Sequence, residues 1–151
     1  MLPLKTIVCP TDFSEPSHAG ISAASELATH FGATICLVNI VPAIPALPPD
    51  PNYVFKLPEY EQLLHAEAEK NLKELRDQLI STGISTRILV GHGEAAGEIV
   101  LIAAREQADL IVIATHGSTG WRHVVFGSVA EKVVRRAQCP VLTVRIPAER
   151  H

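Results

Sequence analysis

The sequence predicts an α/β protein: an open doubly wound sheet of five parallel strands with helices on both faces. Two observations support this prediction. Short apolar runs alternate with longer segments of helical periodicity along the whole chain, which is the pattern of strand–helix–strand units joined by right-handed crossovers. Several runs, such as residues 33–41 (ATICLVNIV), are apolar at consecutive positions, as expected for strands that are covered on both faces of a parallel sheet.

The first half of the chain contributes two of the predicted strands and two of the predicted helices. Residues 5–9 (KTIVC) and residues 33–41 are the strands. The first helix follows Ser14, a hydroxyl residue suited to the N-cap, and ends at Gly32, which tolerates the left-handed conformation of a helix end. A second helix over residues 59–82 presents one apolar stripe. The stripe consists of Tyr60, Leu63, Leu64, Ala68, Leu72, Leu75 and Leu79.

The second half repeats the alternation with three strands and two helices. Residues 85–91 (STRILVG), residues 108–115 (ADLIVIAT) and residues 141–146 (VLTVRI) are the predicted strands. Helical periodicity covers residues 94–106 and residues 127–137. We therefore expect five parallel strands joined by four helices.

A proline-rich segment interrupts this alternation at residues 42–58, which hold six of the eleven prolines of the chain. Proline at that density lacks the donors that a sheet needs and cannot continue a helix, so a long irregular excursion is expected. It is either a surface loop with no special role or a segment that flanks a ligand or a partner.

Composition and charge favour a soluble globular protein of the cytoplasm. The 151 residues are 47% hydrophobic and 19% charged, which fits a single domain over residues 1–151. The formal net charge of −3 offers no basic surface for a nucleic acid. The apolar runs fall short of the ~18–20 residues that span a bilayer, so no membrane association is expected. The N-terminus lacks a signal-peptide pattern.

Three cysteines stand at unrelated spacings, which argues against a disulfide framework and against a zinc site. Cys9 and Cys36 lie inside apolar strand-like runs. We interpret both as small core residues in a reducing compartment.

Two segments have the composition of a ligand site. Pro10, Thr11 and Asp12 follow the first strand, and residues 114–128 connect the fourth strand to the fourth helix. In an open doubly wound sheet, ligands bind beyond the carboxyl ends of the strands, where the strand order reverses. If the first and fourth strands are neighbours, both segments open into the same crevice.

The second segment has the composition of a phosphate cradle. Glycine lets a backbone approach a phosphate closely, and the N–H groups that open a helix can bind an anion. The glycines and hydroxyls concerned are Gly117, Gly120, Gly127, Ser118, Thr119 and Ser128. Asp12 is placed to accept hydrogen bonds from ribose hydroxyls or to position a divalent cation. The alternative is an ordinary glycine-rich turn between a strand and a helix, with no ligand.

The chain resembles the universal stress protein family over nearly its whole length. The likeness is carried by residues 5–17 (KTIVCPTDFSEPS), residues 35–41 (ICLVNIV) and above all residues 108–145 (ADLIVIATHGSTGWRHVVFGSVAEKVVRRAQCPVLTVR). The nucleotide-binding branch of that family is marked by G-x-x-G, nine residues and then G-[ST]. Residues 114–117 (ATHG) and residues 127–128 (GS) occupy these places, with Ala114 where the motif has its first glycine. Alanine suits that position if its φ is negative.

The resemblance implies a Rossmann-like sheet of the adenine nucleotide alpha hydrolase type, with strand order 3-2-1-4-5. It implies ATP, AMP or ADP at the carboxyl ends of strands 1, 2 and 4. Pro10, Thr11 and Asp12 would line the ribose and adenine side, and Ile40 would present backbone groups to the adenine edge. The residues implied to hold the ribose and the phosphates are Ala114, Thr115, His116, Gly117, Ser118, Thr119, Gly120, Gly127, Ser128, Val129 and Ala130.

The site residues give little support for strong catalysis. The loop lacks the lysine of a P-loop, and Arg122 is the nearby cation. His116 and His123 belong to no Ser-His-Asp arrangement, so no catalytic residue is predicted and at most weak ATP hydrolysis is expected. His92 and Glu94 are either an acid–base pair or the capping residues of the third helix, and capping is favoured.

Three functions remain open from the sequence. The first is an ATP-binding module of the stress response. The second is a slow ATPase or nucleotide hydrolase that uses Asp12, a bound Mg²⁺ or Mn²⁺, and His116. The third is an interaction module that no longer binds nucleotide. The retained Gly117, Gly120 and Gly127 favour the first two, and the missing lysine favours the first over the second.

The fifth strand, Val141 to Ile146, is expected at an edge of the sheet. An exposed apolar edge promotes association unless it is paired or covered. In the resembled family this strand pairs with its two-fold mate, which implies a homodimer. The alternative is an edge that the C-terminal residues 147–151 shield.

Overall fold

The computed structural model describes residues 2–44, 57–115 and 127–146, and these form five strands and four helices. In chain order the elements are β1 (Thr6–Pro10), α1 (Glu15–Phe31), β2 (Thr34–Val41), α2 (Leu57–Ser81), β3 (Thr86–His92), α3 (Ala95–Arg105), β4 (Leu110–Ala114), α4 (Ser128–Arg136) and β5 (Val141–Val144). The strands are parallel, and the sheet has the order β3-β2-β1-β4-β5. The predicted fold class and strand order are confirmed.

The centre of the sheet is β1, which pairs with β2 on one side and with β4 on the other. The chain first adds β2 and β3 on one side of β1 and then adds β4 and β5 on the opposite side. The strand order therefore reverses between β1 and β4, which is where such sheets leave a crevice at their carboxyl ends.

The first helix has the predicted ends. The Ser14 side chain accepts a hydrogen bond from the Ser17 N–H, and Ser14 itself is extended, as an N-cap residue should be. Pro16 stands in the first turn, where a missing N–H breaks no helical hydrogen bond. At the other end Gly32 has φ +68°, and its N–H donates to the Ala28 carbonyl.

Each face of the sheet has its own hydrophobic core. One core lies between the sheet and helices α1 and α2, and the other lies between the sheet and helices α3 and α4. Successive strand residues alternate between them: Cys9 of β1 belongs to the first core, whereas Val8 of β1 and Cys36 of β2 belong to the second. All three side chains are fully buried. The interpretation of both cysteines as core residues is confirmed.

Burial keeps both thiols protonated at neutral pH. Desolvation is the main cause that raises the pKa of Cys9 to about 12. Desolvation also raises the pKa of Cys36 to about 11. Because the thiolate is the nucleophilic and metal-binding form, neither side chain is a candidate for covalent chemistry.

The apolar stripe predicted for α2 is only partly buried. Ala68 and Leu72 are buried, but Tyr60 is 42% exposed and Leu63 is 63% exposed. The reason is length: 25 helical residues extend about 37 Å, whereas the seven residues of the neighbouring β3 extend about 23 Å. The first turns of α2 thus run past the end of the sheet. No helix in the described ranges combines the length and apolarity needed to cross a membrane.

The predicted start of α2 at residue 59 was two residues too late. The helix begins at Leu57 and takes Pro58 into its first turn. That position tolerates proline because the first N–H groups of a helix have no partner within the helix. Residues 57 and 58 of the predicted irregular excursion are therefore helical, and residues 45–56 of it lie outside the described ranges.

The fifth strand is shorter than predicted, since β5 ends at Val144 and not at Ile146. Its neighbour β4 ends at Ala114, which pairs with Val144. Arg145 and Ile146 thus have no strand residue beside them with which to extend the ladder. The length of the neighbouring strand, and not the local sequence, sets this boundary.

Asp109 joins the amino ends of β1 and β4. One carboxylate oxygen accepts hydrogen bonds from the N–H groups of Lys5 at 2.9 Å and Thr6 at 3.0 Å. These two bonds lower the pKa of the Asp109 carboxyl below its ordinary value. The side chain therefore stays ionised while it fixes the register of the two central strands at the edge opposite the crevice.

Candidate functional site

A cavity of about 280 Å³ opens at the carboxyl end of the sheet, between β1, β2, β4 and the first turns of α3 and α4. The predicted site residues that fall within the described ranges all line it: Pro10, Thr11, Asp12, Ile40, Ala114, Thr115, Gly127, Ser128, Val129 and Ala130. The remaining predicted residues, His116, Gly117, Ser118, Thr119 and Gly120, lie outside the described ranges, as do Arg122 and His123.

The cavity is also lined by six residues that were not predicted from the sequence: Ser17, Val38, Asn39, Ala95, Ile99 and Ile113. The apolar members belong to strands and helices whose burial conceals any second role. Asn39 did carry a signal, because it is a polar residue inside an otherwise apolar strand. Such an interruption near the carboxyl end of a strand could have marked it as a site residue.

Thr11 anchors the loop that follows β1. Its side chain is buried, and its N–H donates to the Val38 carbonyl at 2.8 Å. Its hydroxyl lies 2.9 Å from the Ser17 hydroxyl and accepts the Phe13 N–H at 3.0 Å. Because the backbone N–H and the side chain of Thr11 are both engaged, the loop has one fixed path into the cavity.

The next two residues turn the chain sharply. Phe13 has φ +64°, a left-handed conformation that is uncommon for a bulky residue. Asp12 Oδ1 accepts hydrogen bonds from the Ser14 N–H, at 3.0 Å, and from the Ser14 hydroxyl. The carboxylate of Asp12 is therefore held in a defined orientation at the mouth of the cavity.

The backbone conformation at position 114 tolerates alanine in place of the motif glycine. Within the described ranges the non-glycine residues with positive φ are Phe13 and Gln107, so Ala114 is not among them. Its methyl group faces Gly20 of α1, where an added Cβ would come within 3.9 Å of the Ala114 Cβ and 3.3 Å of the Ala114 nitrogen. The absence of a side chain at Gly20 therefore lets α1 approach the backbone of β4, whereas the Ala114 methyl group itself would be at an ordinary contact distance.

Gly127 is required for a steric reason. Its φ of −67° is open to any residue. However, a Cβ at this position would collide with the Thr115 carbonyl oxygen, which accepts the Gly127 N–H at 2.5 Å. This close approach brings the first turn of α4 onto the end of β4. The helix begins there without a side-chain cap, and residues 128–130 line the cavity.

The cavity wall carries little charge. Among its lining residues in the described part of the chain, Asp12 has the one ionisable carboxylate, and none is a lysine or an arginine. In the same part of the chain, no group of three or more His, Cys, Asp or Glu side chains could hold a metal ion. Anion recognition at this wall would therefore depend on backbone N–H groups and hydroxyls.

Glu94 is the N-cap of α3, as predicted. Its side chain accepts the Gly97 N–H at 2.7 Å, and this bond is the main cause of the lowered pKa of its carboxyl. Arg136 and Lys132 of α4 lie 3.3 Å and 3.8 Å from the same carboxylate. Glu94 thus joins the two helices that form one wall of the cavity.

His92 is not the capping residue that was predicted beside Glu94, and the alternative of an acid–base pair with Glu94 is not supported. Its Nε2 lies 2.9 Å from Nδ1 of His65 in α2, and the two rings are parallel within 5°. In such a contact one ring nitrogen donates and the other accepts, in an order that depends on the tautomers. This pair could not be predicted from the sequence, because its members are 27 positions apart.

The family model of the universal stress proteins matches residues 3–145. A universal stress protein of Methanocaldococcus jannaschii is 34% identical over 145 residues, which cover 95% of this chain and 83% of the relative. A solved structure of another protein of that organism has a TM-score of 0.80 at 25% identity, covering 97% of this chain and 99% of that one.

Two neighbours in fold are complexes with nucleotides. A universal stress protein in complex with cAMP has a TM-score of 0.69 at 21% identity, covering 95% of this chain and 98% of that one. The universal stress protein of Archaeoglobus fulgidus in complex with dAMP has a TM-score of 0.66 at 22% identity, with the same shares covered. At these identities the likeness concerns the fold alone. The family match and the relative at 34% identity nevertheless establish the classification: this chain belongs to the universal stress protein family.

Proposed function

We propose that this universal stress protein binds ATP in the cavity at the carboxyl end of the sheet, as a cytoplasmic regulatory module of the stress response. The observation that carries the proposal is the approach of Gly127 to Thr115, which brings the N-terminus of α4 to the cavity wall. Uncapped N–H groups at a helix start bind phosphate. The volume of the cavity, about 280 Å³ for the described walls, lies just below the range of ~300–1,000 Å³ that is typical of ligand pockets.

The positions of the walls suggest how the nucleotide would lie. Phosphates would face the start of α4, and the ribose hydroxyls would bind the Asp12 carboxylate. The base would reach Ile40 at the end of β2, between apolar side chains such as Ile99. Because β1 separates β2 from β4, the two ends of the ligand would be about 10 Å apart, a distance that a nucleoside phosphate can span.

The neighbours in complex with cAMP and dAMP support the choice of an adenine nucleotide. They show what this fold holds in other proteins, and the proposal for this chain rests on its own cavity. Each of those ligands has one phosphate. We propose a triphosphate for this chain because residues 114–128 are rich in glycine and in hydroxyl side chains.

A divalent cation fits the proposed site. Mg²⁺ is commonly bound through one or two carboxylates together with substrate phosphates. Asp12 supplies one carboxylate at the cavity mouth, and we propose it as the protein ligand of Mg²⁺ or Mn²⁺. When bound, the ion would neutralise part of the phosphate charge, since the described lining residues include no lysine or arginine that could do so.

Calorimetry tests the proposed ligand directly. We expect the purified protein to bind ATP at one site per chain, and mass spectrometry to detect an adenine nucleotide that co-purifies with it. GTP serves as the control for base preference. A protein that shows no heat of binding with ATP, AMP or ADP would exclude the proposal. The remaining function would then be an interaction module that does not bind nucleotide.

Turnover of ATP is expected to be slow or absent. The described wall offers donors for ground-state phosphate but no cationic side chain to stabilise charge that develops in a transition state. Phosphate release should therefore give a kcat far below the ~10 s⁻¹ that is typical of enzymes. A kcat near that value, abolished by Asp12→Ala, would instead establish the second candidate, the ATPase.

We also propose a homodimer formed through β5. This strand has β4 on one side and nothing on the other within the described structure. Leu142 is 40% exposed and Ile146 is 43% exposed. Pairing of the strand with its own copy would cover both the unpaired backbone groups and this apolar surface.

A further inference from the structure

The ladder between β1 and β2 stops in an unusual way. Its last backbone bond runs from the Thr11 N–H to the Val38 carbonyl, at 2.8 Å. In a regular parallel ladder, the next bond would run from the Ile40 N–H back to the Thr11 carbonyl. That backbone bond is absent from the described structure, in which the ladder ends at the pair Pro10 and Val38. The Asn39 side chain donates to the Thr11 carbonyl instead, at 2.8 Å.

Chemistry fixes the orientation of the Asn39 amide. A carbonyl oxygen only accepts hydrogen bonds, so the Asn39 NH₂ group and not its oxygen must face Thr11. The side chain is half-buried and lines the cavity. Its NH₂ group therefore stands at the Thr11 carbonyl in the place that the Ile40 N–H would take in a regular ladder.

The consequence concerns the Ile40 backbone. Backbone groups of alternate strand residues face the same neighbour. Since the Val38 carbonyl faces β1 and Gly93 donates to the Val41 carbonyl on the β3 side, the Ile40 N–H and C=O face the β1 side. There β1 has ended and the cavity begins. A donor and an acceptor in this arrangement can bind the edge of an adenine.

We infer that Asn39 is a positioning residue for base recognition: it occupies the Thr11 carbonyl and thereby leaves the Ile40 N–H to the ligand. The inference rests on the proposed binding of ATP, which it deepens by naming the residue that keeps the base-binding edge open. Asn39 itself does not touch the base in this account. Its effect passes through the backbone of Ile40.

Hydrogen exchange of the ligand-free protein tests the inference without any nucleotide. In wild type, the Ile40 N–H should exchange at least about tenfold faster than the Val38 N–H, because an amide without a partner is not protected. In Asn39→Leu, which has the same size and no donor, the Ile40 N–H should close onto the Thr11 carbonyl and become protected. Saturating ATP should protect it in wild type.

The binding measurement uses two ligands and a control variant. Asn39→Leu should weaken ATP about tenfold, the equivalent of one hydrogen bond, and leave tripolyphosphate, which has no base, unchanged. The control is Thr86→Val, which removes a buried side-chain bond to the Ile84 carbonyl at the far end of β3. It should lower stability without altering either affinity.

The outcomes separate the two proposals. An Ile40 N–H that is already protected in ligand-free wild type would overturn the inference, as would unchanged exchange and unchanged ATP affinity in Asn39→Leu. Equal losses of ATP and tripolyphosphate would also overturn it, since they would indicate general damage to the site. If wild type has the expected exchange pattern but binds no ATP, the proposed function fails and the role of Asn39 in shaping the strand end stands.

Discussion

Gly127→Val is expected to abolish ATP binding while leaving the sheet intact. A Cβ at this position would collide with the Thr115 carbonyl oxygen, so the first turn of α4 would have to move away from the end of β4. Loss of this wall should weaken ATP by at least about 100-fold, or roughly 2.7 kcal/mol. Calorimetry measures the affinity, and circular dichroism confirms that the helices and strands remain.

Two further glycine variants sharpen this test. Gly127→Ala should have nearly the effect of valine, because the collision involves the Cβ itself. Gly83→Ala is the matched control: Gly83 has φ +88° and no atom within 4 Å of an added Cβ. That change should strain the backbone beyond α2 and lower stability but leave ATP affinity unaltered. A Gly127→Val protein that binds ATP as tightly as wild type would place the phosphates elsewhere.

Thr143→Pro is expected to convert the proposed dimer into a folded monomer. The Ile111 and Thr115 N–H groups donate to the carbonyls of Pro140 and Val144, each at 3.0 Å. Backbone groups of alternate residues face the same neighbour, so the Thr143 N–H must face the open edge. Proline at this position therefore removes a donor from the edge and none from the bond between β4 and β5.

Sedimentation at micromolar concentration measures the assembly. Wild type should be a dimer and Thr143→Pro a monomer, both with native circular dichroism. The matched control is Leu142→Pro, since residue 142 faces β4 and proline there would break the sheet itself. That variant should lose stability as well as the dimer. A monomeric wild type excludes the dimer, and a dimeric Thr143→Pro protein excludes β5 as the interface.

The fold was largely predictable because it depends on local signals that agree with one another. Ser14 and Gly32 mark the ends of α1 by their own chemistry, and runs such as residues 33–41 are apolar enough to identify a covered strand. The errors occurred where a boundary depends on a neighbour. The end of β5 depends on where β4 stops. The exposure of Tyr60 and Leu63, on which the stripe made no prediction, depends on how far α2 extends beyond β3.

The site was predictable in outline and not in its internal contacts. A glycine motif and the resemblance it carries name residues such as Asp12 and Gly127, but whether they bind ATP remains a prediction. Sequence does not distinguish a glycine that needs positive φ from one that, like Gly127, needs the absence of a Cβ. Nor does it reveal that Asn39 replaces a backbone donor, because that role exists only once β1 and β2 are in register.

The two buried cysteines can report on the opening of the two hydrophobic cores, because each thiol lies in a different core. Cys9 lies in the core beneath α1 and α2, and Cys36 lies in the core beneath α3 and α4, on the face that includes the cavity wall. Because burial raises the pKa of Cys9 to about 12 and that of Cys36 to about 11, neither thiol can be alkylated at neutral pH while the core around it is closed. The rate at which each thiol is alkylated therefore measures how often the core around it opens. A ligand that stabilises the core beneath α3 and α4 would slow the alkylation of Cys36 more than that of Cys9.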